Sequence, residues 1–88
     1  MKIIEDGDLK ILAMPGDVHG DVVDSLSLIL EEILETDCRL LAIDMFNVSY
    51  IYSRGIGVLV RTQKAFKEKE GKLYLFNLRP SLQKIFPF

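Results

Sequence analysis

The first two apolar runs of the chain predict a β-hairpin. Residues 2–5 and 9–14 are rich in β-prone side chains and are separated by Asp6-Gly7-Asp8. Asp-Gly between two such runs is a strong hairpin signal. Pro15 then ends the second strand, because proline lacks the N–H group that a central ladder requires. Two antiparallel strands are therefore expected to begin the sheet.

Two longer stretches, residues 21–35 and 55–69, repeat apolar side chains at spacings of three and four. This spacing predicts two amphipathic helices. The positions expected to be buried are Val22, Leu26, Ile29, Leu30 and Ile33 in the first helix, and Ile56, Leu59, Val60, Gln63 and Phe66 in the second. Asp17 or Asp21 is the predicted N-cap of the first helix.

Residues 39–45 and 72–78 are predicted strands on either side of the second helix. The first is apolar on both faces and so belongs in the middle of the sheet. With the helix between them they form a right-handed β-α-β unit of parallel strands. Pro80 can start a last short helix over residues 81–86. The predicted order is β-β-α-β-α-β-α, an α/β fold in a single domain over residues 1–88.

Composition sets the broad class of the protein. The chain has 88 residues, of which 49% are hydrophobic and 27% charged, and this composition is ordinary for one small globular domain. No apolar run approaches the roughly 18 residues of a membrane-spanning helix, and the N-terminus is not a secretory signal. The single Cys38 has no partner for a disulfide or a metal site, and we expect it to be a buried small residue. These features favour a cytoplasmic protein.

Charge is unevenly distributed along the chain. The net charge is −2, which gives no indication of nucleic-acid binding. Eleven of the 13 acidic residues precede Ser53, whereas eight of the 11 basic residues follow it. We favour an acidic helix that faces a basic helix, each exposed pair contributing well under about 1 kcal/mol. A basic rim near Ser53 that steers an acidic partner is the alternative.

Ser53 lies where the loop after the third strand meets the second helix. A serine just before a helix can bond to the first free backbone N–H groups, and as an N-cap it contributes about 1 kcal/mol. The loop leaving the carboxyl end of a strand is also the usual ligand position of an open α/β sheet. A phosphate there would meet a favourable helix dipole.

Other chemistries at this junction have weaker signals. His19, the only histidine, could act as a base for Ser53 if their loops open at the same edge of the sheet, but no GxSxG motif surrounds Ser53. Gly55 and Gly57 lack the third glycine and the lysine of phosphate-binding loops, so close packing of the helix is favoured for them. A small nucleotide- or anion-binding domain that uses the helix N-terminus stays open as an alternative.

Residues 40–86 resemble the signature region of the bacterial anti-sigma-factor antagonists, the STAS-domain family. That pattern is an apolar strand ending in aspartate, a loop with valine, and then aspartate-serine-serine or threonine-glycine-leucine-glycine. A helix, a glycine-lysine pair, a strand and a proline turn follow. The matching positions are Asp44, Val48, Ser53, Gly55, Gly57, Gly71, Lys72 and Pro80. Upstream, Gly16-Asp17-Val18 is similar to the family's glycine-acidic-apolar segment before the first helix.

The resemblance implies a STAS-like mixed β-sheet packed with α-helices, in a protein that binds a partner and catalyses nothing itself. In that family the serine is phosphorylated by a partner that is both a kinase and an anti-sigma factor. The unphosphorylated antagonist binds this partner and releases the sigma factor. By position the phosphoacceptor is Ser53, and no cofactor, metal ion, nucleic acid or membrane is expected. The expected partner-binding residues are Asp17, His19, Asp44, Tyr52, Ser53, Arg54, Gly55, Ile56 and Gly57.

The sequence departs from the family pattern on both sides of Ser53. Tyr52 replaces the aspartate, Arg54 replaces the second serine or threonine, and His19 stands where an acidic residue is usual. Arg54 could pair with a phosphate on Ser53, or contact an acidic partner while Ser53 is never modified. In the second case the chain is a non-switching STAS subunit or scaffold of a transport or signalling assembly, and Ser53 is a helix cap.

The last apolar residues give a second expectation about partners. Ile85, Phe86 and Phe88 form an apolar patch suited to a partner or to a second copy, and a homodimer is possible on this basis. The alternative is that these side chains fold back onto the sheet.

Overall fold

The structure, a computed structural model, describes residues 1–86, and every predicted element is found there. The elements in chain order are β1 (Lys2–Asp6), β2 (Leu9–Ala13), α1 (Gly20–Leu34), β3 (Leu40–Asp44), α2 (Ser53–Glu68), β4 (Lys72–Phe76) and α3 (Pro80–Gln83). The predicted order β-β-α-β-α-β-α is therefore confirmed.

The four strands form one mixed sheet in the order β1-β2-β3-β4. The predicted hairpin is present: β1 and β2 are antiparallel, and Gly7 in the turn has a φ of 60°, a value that glycine adopts without steric cost. β2, β3 and β4 run parallel, so their carboxyl ends meet at one edge. β3 lies between β2 and β4, as its apolar sequence predicted.

The core lies between α1, α2 and one face of the sheet. Alternate strand residues such as Leu12, Leu41, Ile43 and Leu73 point into it, because successive side chains of a strand face opposite sides. Cys38 is also buried, as expected. Among the described residues, no helix is long and apolar enough to cross a membrane.

The buried helical faces differ from the predicted ones by small rotations. In α1, Leu26, Leu30 and Ile33 are buried as predicted, but Val23 is buried more deeply than Val22. In α2, Leu59 and Phe66 are buried as predicted. The predicted Ile56, Val60 and Gln63 are only partly covered, and the buried positions are instead Gly55, Val58 and Thr62.

Thr62 explains much of the error in α2. Its hydroxyl donates to the Val58 carbonyl at 2.7 Å, so this polar side chain is satisfied within its own helix and can face the core. Gly55 is invisible to an apolar periodicity because it carries no side chain. The buried face of α2 therefore contains two residues that a hydrophobic pattern does not count.

The predicted helix caps are wrong. Tyr52 is the N-cap of α2 and Ser53 is the first helical residue, while His19 is the N-cap of α1. Neither cap residue makes a side-chain capping bond. Asp17 is engaged by another loop instead, and Asp21 lies in the first turn of α1, where its charge suits the helix dipole.

The last helix is shorter than predicted. α3 ends at Gln83 and not at residue 86. Phe86 is buried and Ile85 is 43% exposed, so the apolar patch predicted from Ile85, Phe86 and Phe88 does not form between the first two, and Phe88 lies outside the described residues. The burial of Phe86 in the core agrees with the alternative, in which these side chains fold back.

α1 and α2 are neighbours, as we favoured, but among residues 1–86 only one ion pair, Arg54–Asp24, joins their charged side chains. Lys69, at the end of α2, donates to the Leu34 and Thr36 carbonyls at 3.1 and 2.9 Å. These carbonyls belong to the C-terminal end of α1, where a positive charge is favourable. At the other end of the helix pair, Arg54 forms an ion pair with Asp24.

Candidate functional site

Three loops meet at the carboxyl edge of the parallel strands. They follow β2, β3 and β4 and cover residues 14–19, 45–52 and 77–79. The first two are joined by a short parallel bridge between Val18 and Ile51. In this bridge the Val18 N–H donates to the Tyr50 carbonyl, and the Tyr52 N–H donates to the Val18 carbonyl, each at 3.0 Å. The loop before Ser53 is therefore held by the loop before α1.

Asp17 is the main polar anchor of this junction. One carboxylate oxygen accepts hydrogen bonds from the Ser49 N–H at 2.7 Å, the Ser49 hydroxyl at 2.9 Å and the Tyr50 N–H at 3.0 Å. These hydrogen bonds lower the pKa of Asp17. The Ser49 N–H has the largest effect, followed by the Ser49 hydroxyl and the Tyr50 N–H, and the nearby His19 adds a small lowering. Asp17 is thus ionised at neutral pH and ties down the β3–α2 loop.

Asp44 and Arg79 connect the third loop to the same junction. The Asp44 carboxylate accepts from the Phe46 N–H and from the Asn77 side-chain amide, both at 3.0 Å. The Arg79 Nε donates to the Val48 carbonyl at 3.1 Å. Asn77 has a φ of 56°, a left-handed conformation that asparagine tolerates better than most residues. The loop before Ser53 is consequently anchored by the loop after β2 and by the loop after β4.

Ser53 lies exposed at the first position of α2. Its hydroxyl makes no hydrogen bond with any residue in the range 1–86, and the first turn of the helix contains no acidic residue. The first intrahelical bond here runs from the Ile56 N–H to the Tyr52 carbonyl at 3.1 Å. The backbone N–H groups ahead of it are the free donors of a helix N-terminus and carry partial positive charge. This environment favours a negative group on Ser53.

Three aromatic rings pack together on the loops that precede α1 and α2. The Tyr50 and Tyr52 rings pack edge to face with centroids 5.0 Å apart, and the His19 ring lies 6.1 Å from Tyr52. Tyr50 is 57% exposed and Tyr52 is 55% exposed, and Phe46 on the same loop is 67% exposed. We call Tyr50, Tyr52 and His19 the aromatic patch. The patch combines large exposed rings with a backbone that the Asp17 bonds hold in place.

The two glycines of the motif have different surroundings. A Cβ atom on Gly55 would lie 2.8 Å from Val18 Cγ1 and 3.1 Å from Ile51 Cγ1, so only glycine fits beneath the Val18–Ile51 bridge without displacement. A Cβ on Gly57 would meet only the guanidinium end of Arg61, at 3.3 Å. Close packing therefore accounts for Gly55, as predicted, and does not account for Gly57.

The structure brings most of the predicted site residues into one region. Asp17, His19, Tyr52 and Gly55 are connected through the bridge, the rings and the Asp17 bonds, and Ser53 and Arg54 follow directly in the chain. His19 contacts the Tyr52 ring and is not hydrogen-bonded to Ser53, so the predicted nucleophile and base are not paired.

Three predicted residues contribute less directly. Asp44 lies on the side of the third loop, Ile56 is partly buried and Gly57 begins the next turn of α2. Sequence reasoning missed five residues that shape the site: Asp24, Phe46, Ser49, Tyr50 and Arg79. No local spacing indicates the polar contacts of Asp24, Ser49, Tyr50 and Arg79, because the partners of these residues lie 30–33 residues away in sequence. The aromatic residues in the loop before Ser53 were the only usable signal in the sequence.

Among residues 1–86, no group of three or more histidine, cysteine, aspartate or glutamate side chains is arranged to hold a metal ion. A cavity of about 510 Å³ lies at the opposite edge of the sheet, beside Glu5, Lys10 and Arg39. It therefore has no part in the loop cluster around Ser53.

Comparison with known proteins assigns the fold. The STAS domain family model matches residues 1–87. No curated protein sequence matches the chain significantly. Among solved structures, the unphosphorylated anti-sigma-factor antagonist SpoIIAA superposes with a TM-score of 0.85 at 15% identity, covering 99% of this chain and 81% of that one.

Two further solved structures are also similar to this chain. Phosphorylated SpoIIAA from Bacillus has a TM-score of 0.82 at 13% identity and covers 96% of this chain and 78% of its own. A sulfate transporter family protein from Wolinella succinogenes has a TM-score of 0.72 at 22% identity and covers 93% and 70%. At these identities the likeness concerns the fold alone, whereas the family model spans almost the whole sequence. The chain belongs to the STAS domain family.

Proposed function

We propose that this protein is an anti-sigma-factor antagonist. It binds an anti-sigma factor that has serine-kinase activity, and phosphorylation of Ser53 by that partner ends the interaction. In this role it acts in the cytoplasm, regulates sigma-factor-dependent transcription and catalyses no reaction of its own. The observation that carries the proposal is the exposed Ser53 hydroxyl at the first residue of α2, directly after Tyr52 of the aromatic patch and with no hydrogen bond to any of residues 1–86. The fold shared with both forms of SpoIIAA supports it.

The position of Ser53 suits a phosphoacceptor. A kinase can reach the hydroxyl without breaking any bond of the folded protein, since the α2 N-cap is Tyr52 and makes no side-chain bond. Phosphorylation adds a charge of about −1.5 to −2 and three acceptor oxygens. The first turn of α2 contains no acidic residue to oppose the new charge, and we expect the modified form to keep its fold. The change is therefore local to the surface.

The aromatic patch suits a protein partner. Tyrosine and phenylalanine are enriched in the buried centres of protein interfaces, and tyrosine loses little conformational entropy on binding. The edge-to-face packing of Tyr50 and Tyr52 already fixes both rings before contact. The Asp17 bonds hold the backbone beneath them. The unmodified surface is thus arranged to bury its rings against a partner.

Phosphate on Ser53 opposes that docking. A doubly charged group beside the rings has to lose its water if the partner covers it, and burying an unpaired charge is costly. Arg54 is the nearest basic residue in sequence, but it is engaged with Asp24 on α1. A phosphate that recruits Arg54 has to compete with Asp24 for the guanidinium group. Either way the phosphorylated surface differs in charge from the one that binds.

The test is capture of partners by immobilised protein from lysate of the source cell, followed by incubation with ATP. Wild type and Ser53→Ala are expected to retain the same ATP-binding anti-sigma factor, and Ser53→Asp is expected to lose it. The captured partner should then transfer phosphate to wild type and not to Ser53→Ala. Ser81→Asp is the matched control, because Ser81 is an exposed serine near the start of α3.

The outcomes separate the proposal from its main rival. Equal capture by all four proteins, with no phosphate transferred, contradicts the switch. That result favours a non-switching STAS subunit of a transport assembly. Two observations support this second candidate: the fold is shared with the Wolinella sulfate transporter family protein, and Tyr52 and Arg54 flank Ser53 in place of the usual motif.

A further inference from the structure

One face of the sheet has no helix packed on it among residues 1–86. α1 and α2 pack together over the face that carries Leu12, Ile43 and the other buried strand residues. The opposite face keeps large apolar side chains in contact with solvent. The exposed fractions are 47% for Ile4, 48% for Tyr74, and 37% for both Leu40 and Phe76. We call this surface the open face.

The strand register orders the open face into three rows, each running from β1 through β2 and β3 to β4. The top row, at the carboxyl ends of the parallel strands, is Lys2, Ala13, Asp44 and Phe76. The middle row is Ile4, Ile11, Ala42 and Tyr74. The bottom row is Asp6, Leu9, Leu40 and Lys72. The middle row carries no charged side chain, and Lys2, Asp6, Asp44 and Lys72 all lie in the outer rows.

We propose that a second copy of this chain docks on the open face, with the two-fold axis parallel to the strands. Such an axis lays β4 of one copy over β1 of the other and keeps the rows in register. Asp6 then faces Lys72 of the second copy, and Ile4 faces Tyr74 of the second copy. Because a two-fold interface uses the same patch on both copies, each of these contacts occurs twice.

The central contacts complement each other in size as well. Under the same axis the large Ile11 faces the small Ala42 of the second copy, and Leu9 faces Leu40 of the second copy. Alternation of large and small residues lets two sheets interdigitate at their usual spacing of about 10 Å. An axis perpendicular to the strands would instead press Ala42 against Ala42 and Asp44 against Leu40. Each axis also forms two opposite-charge contacts, Asp6 with Lys72 for the parallel axis and Lys2 with Asp6 for the perpendicular one, so shape and not charge favours the parallel axis.

The size of the open face indicates a weak dimer. Four strands about 4.8 Å apart and five residues long at about 3.3 Å each give a footprint of roughly 300 Å² per copy. Two such footprints total about 600 Å², well below the roughly 1,200 Å² of a standard specific interface, so we expect a weak dimer with a dissociation constant in the micromolar range or weaker. Ser53 lies on α2, which packs on the other side of the sheet. Dimerisation therefore leaves the proposed switch site accessible, and the two proposals can fail separately.

Sedimentation velocity over a concentration series tests the dimer. Wild type should pass from monomer to dimer between about 10 μM and 1 mM, the range of affinities expected of a small interface. Tyr74→Glu should remain monomeric because it puts a charge in the middle row. Leu28→Glu is the matched control: Leu28 is 61% exposed on α1, outside the open face, and its variant should dimerise like wild type. Circular dichroism confirms that both variants are folded.

Charge exchange tests the orientation. Asp6→Lys and Lys72→Asp should each weaken self-association by about tenfold, because each creates two like-charge contacts per dimer. An equimolar mixture should form heterodimers with about wild-type affinity, since both contacts are again between opposite charges. A wild type that stays monomeric at 1 mM, or a mixture no tighter than the single variants, overturns the proposal.

Discussion

Gly55 and Gly57 provide a matched pair for testing how the loop cluster is packed. Both glycines lie in α2, and neither has a φ in the left-handed region, so alanine can adopt either backbone conformation. Alanine raises helix stability over glycine by about 0.5–1 kcal/mol, somewhat less in a first turn such as that of Gly55. At Gly57 this gain should be realised, because the only close neighbour of the new methyl group is the end of the flexible Arg61 side chain.

At Gly55 the gain should be outweighed by a clash. The new methyl group would lie 2.8 Å from Val18 Cγ1 and 3.1 Å from Ile51 Cγ1. Val18 is fully buried and Ile51 is 4% exposed, and the two are joined by a backbone bridge, so neither can move away freely. Overpacking of this kind typically costs about 1–3 kcal/mol. We expect Gly55→Ala to be less stable than wild type and Gly57→Ala to be more stable.

The measurement is urea unfolding of the two variants and wild type, followed by far-ultraviolet circular dichroism. The difference between the variants reports the clash together with the somewhat smaller propensity gain at Gly55. It should be about 1–3 kcal/mol, which for a domain of this size corresponds to a difference in Tm of at least about 4 °C. If Gly55→Ala proves as stable as Gly57→Ala, α2 does not approach the Val18–Ile51 bridge as closely as described here.

Three further predictions follow from individual contacts. Gly71→Ala should destabilise the protein more than Gly55→Ala does in the same urea assay. The Cβ atom of an alanine at position 71 would lie 2.5 Å from the Arg39 carbonyl oxygen, a backbone atom that cannot rotate away. An unchanged unfolding midpoint would contradict this packing. The bonds from Ser49 and Tyr50 lower the pKa of Asp17, so its contribution to stability should be complete above the ordinary value of 3.8 and lost as the pH falls below it. Unfolding measured from pH 7 to pH 2 should therefore show Asp17→Asn less stable than wild type at pH 7 and the two converging in acid; a gap that persists at pH 2 refutes the assignment. Tyr52→Ala should reduce partner capture at least tenfold, the effect typical of an aromatic hot spot, with little change in Tm because the ring is half exposed; undiminished capture excludes the patch as the docking surface.

The sequence was sufficient for the architecture because local signals agreed with one another. Asp-Gly marked the hairpin, apolar spacing marked α1 and α2, and the apolar run at β3 marked the sheet centre. The predictions failed where a residue's environment is set by tertiary contact. Thr62 satisfies its hydroxyl within α2 and so faces the core, which no hydrophobic count anticipates.

The site was predictable in position but not in its connections. Ser53 could be located at the strand–helix junction, but the helix-cap role that the sequence left open as an alternative is not its own, because Tyr52 occupies the N-cap position. Asp17 was assigned to the α1 cap and instead binds backbone N–H groups of a loop 32 residues away in sequence. The side chains that join two loops depend on the register of β2 against β3, and that register is not encoded in either segment alone.

Phosphate transfer to Ser53 is the most direct test of the proposed switch. The protein would be purified from its source cell with phosphatases inhibited, and also incubated in lysate with ATP, and modified peptides would be located by mass spectrometry. We predict one phosphate, on Ser53, which is absent from Ser53→Ala and retained in Ser81→Ala. Phosphate on another residue, or none under conditions in which the protein holds an ATP-binding partner, would contradict the account.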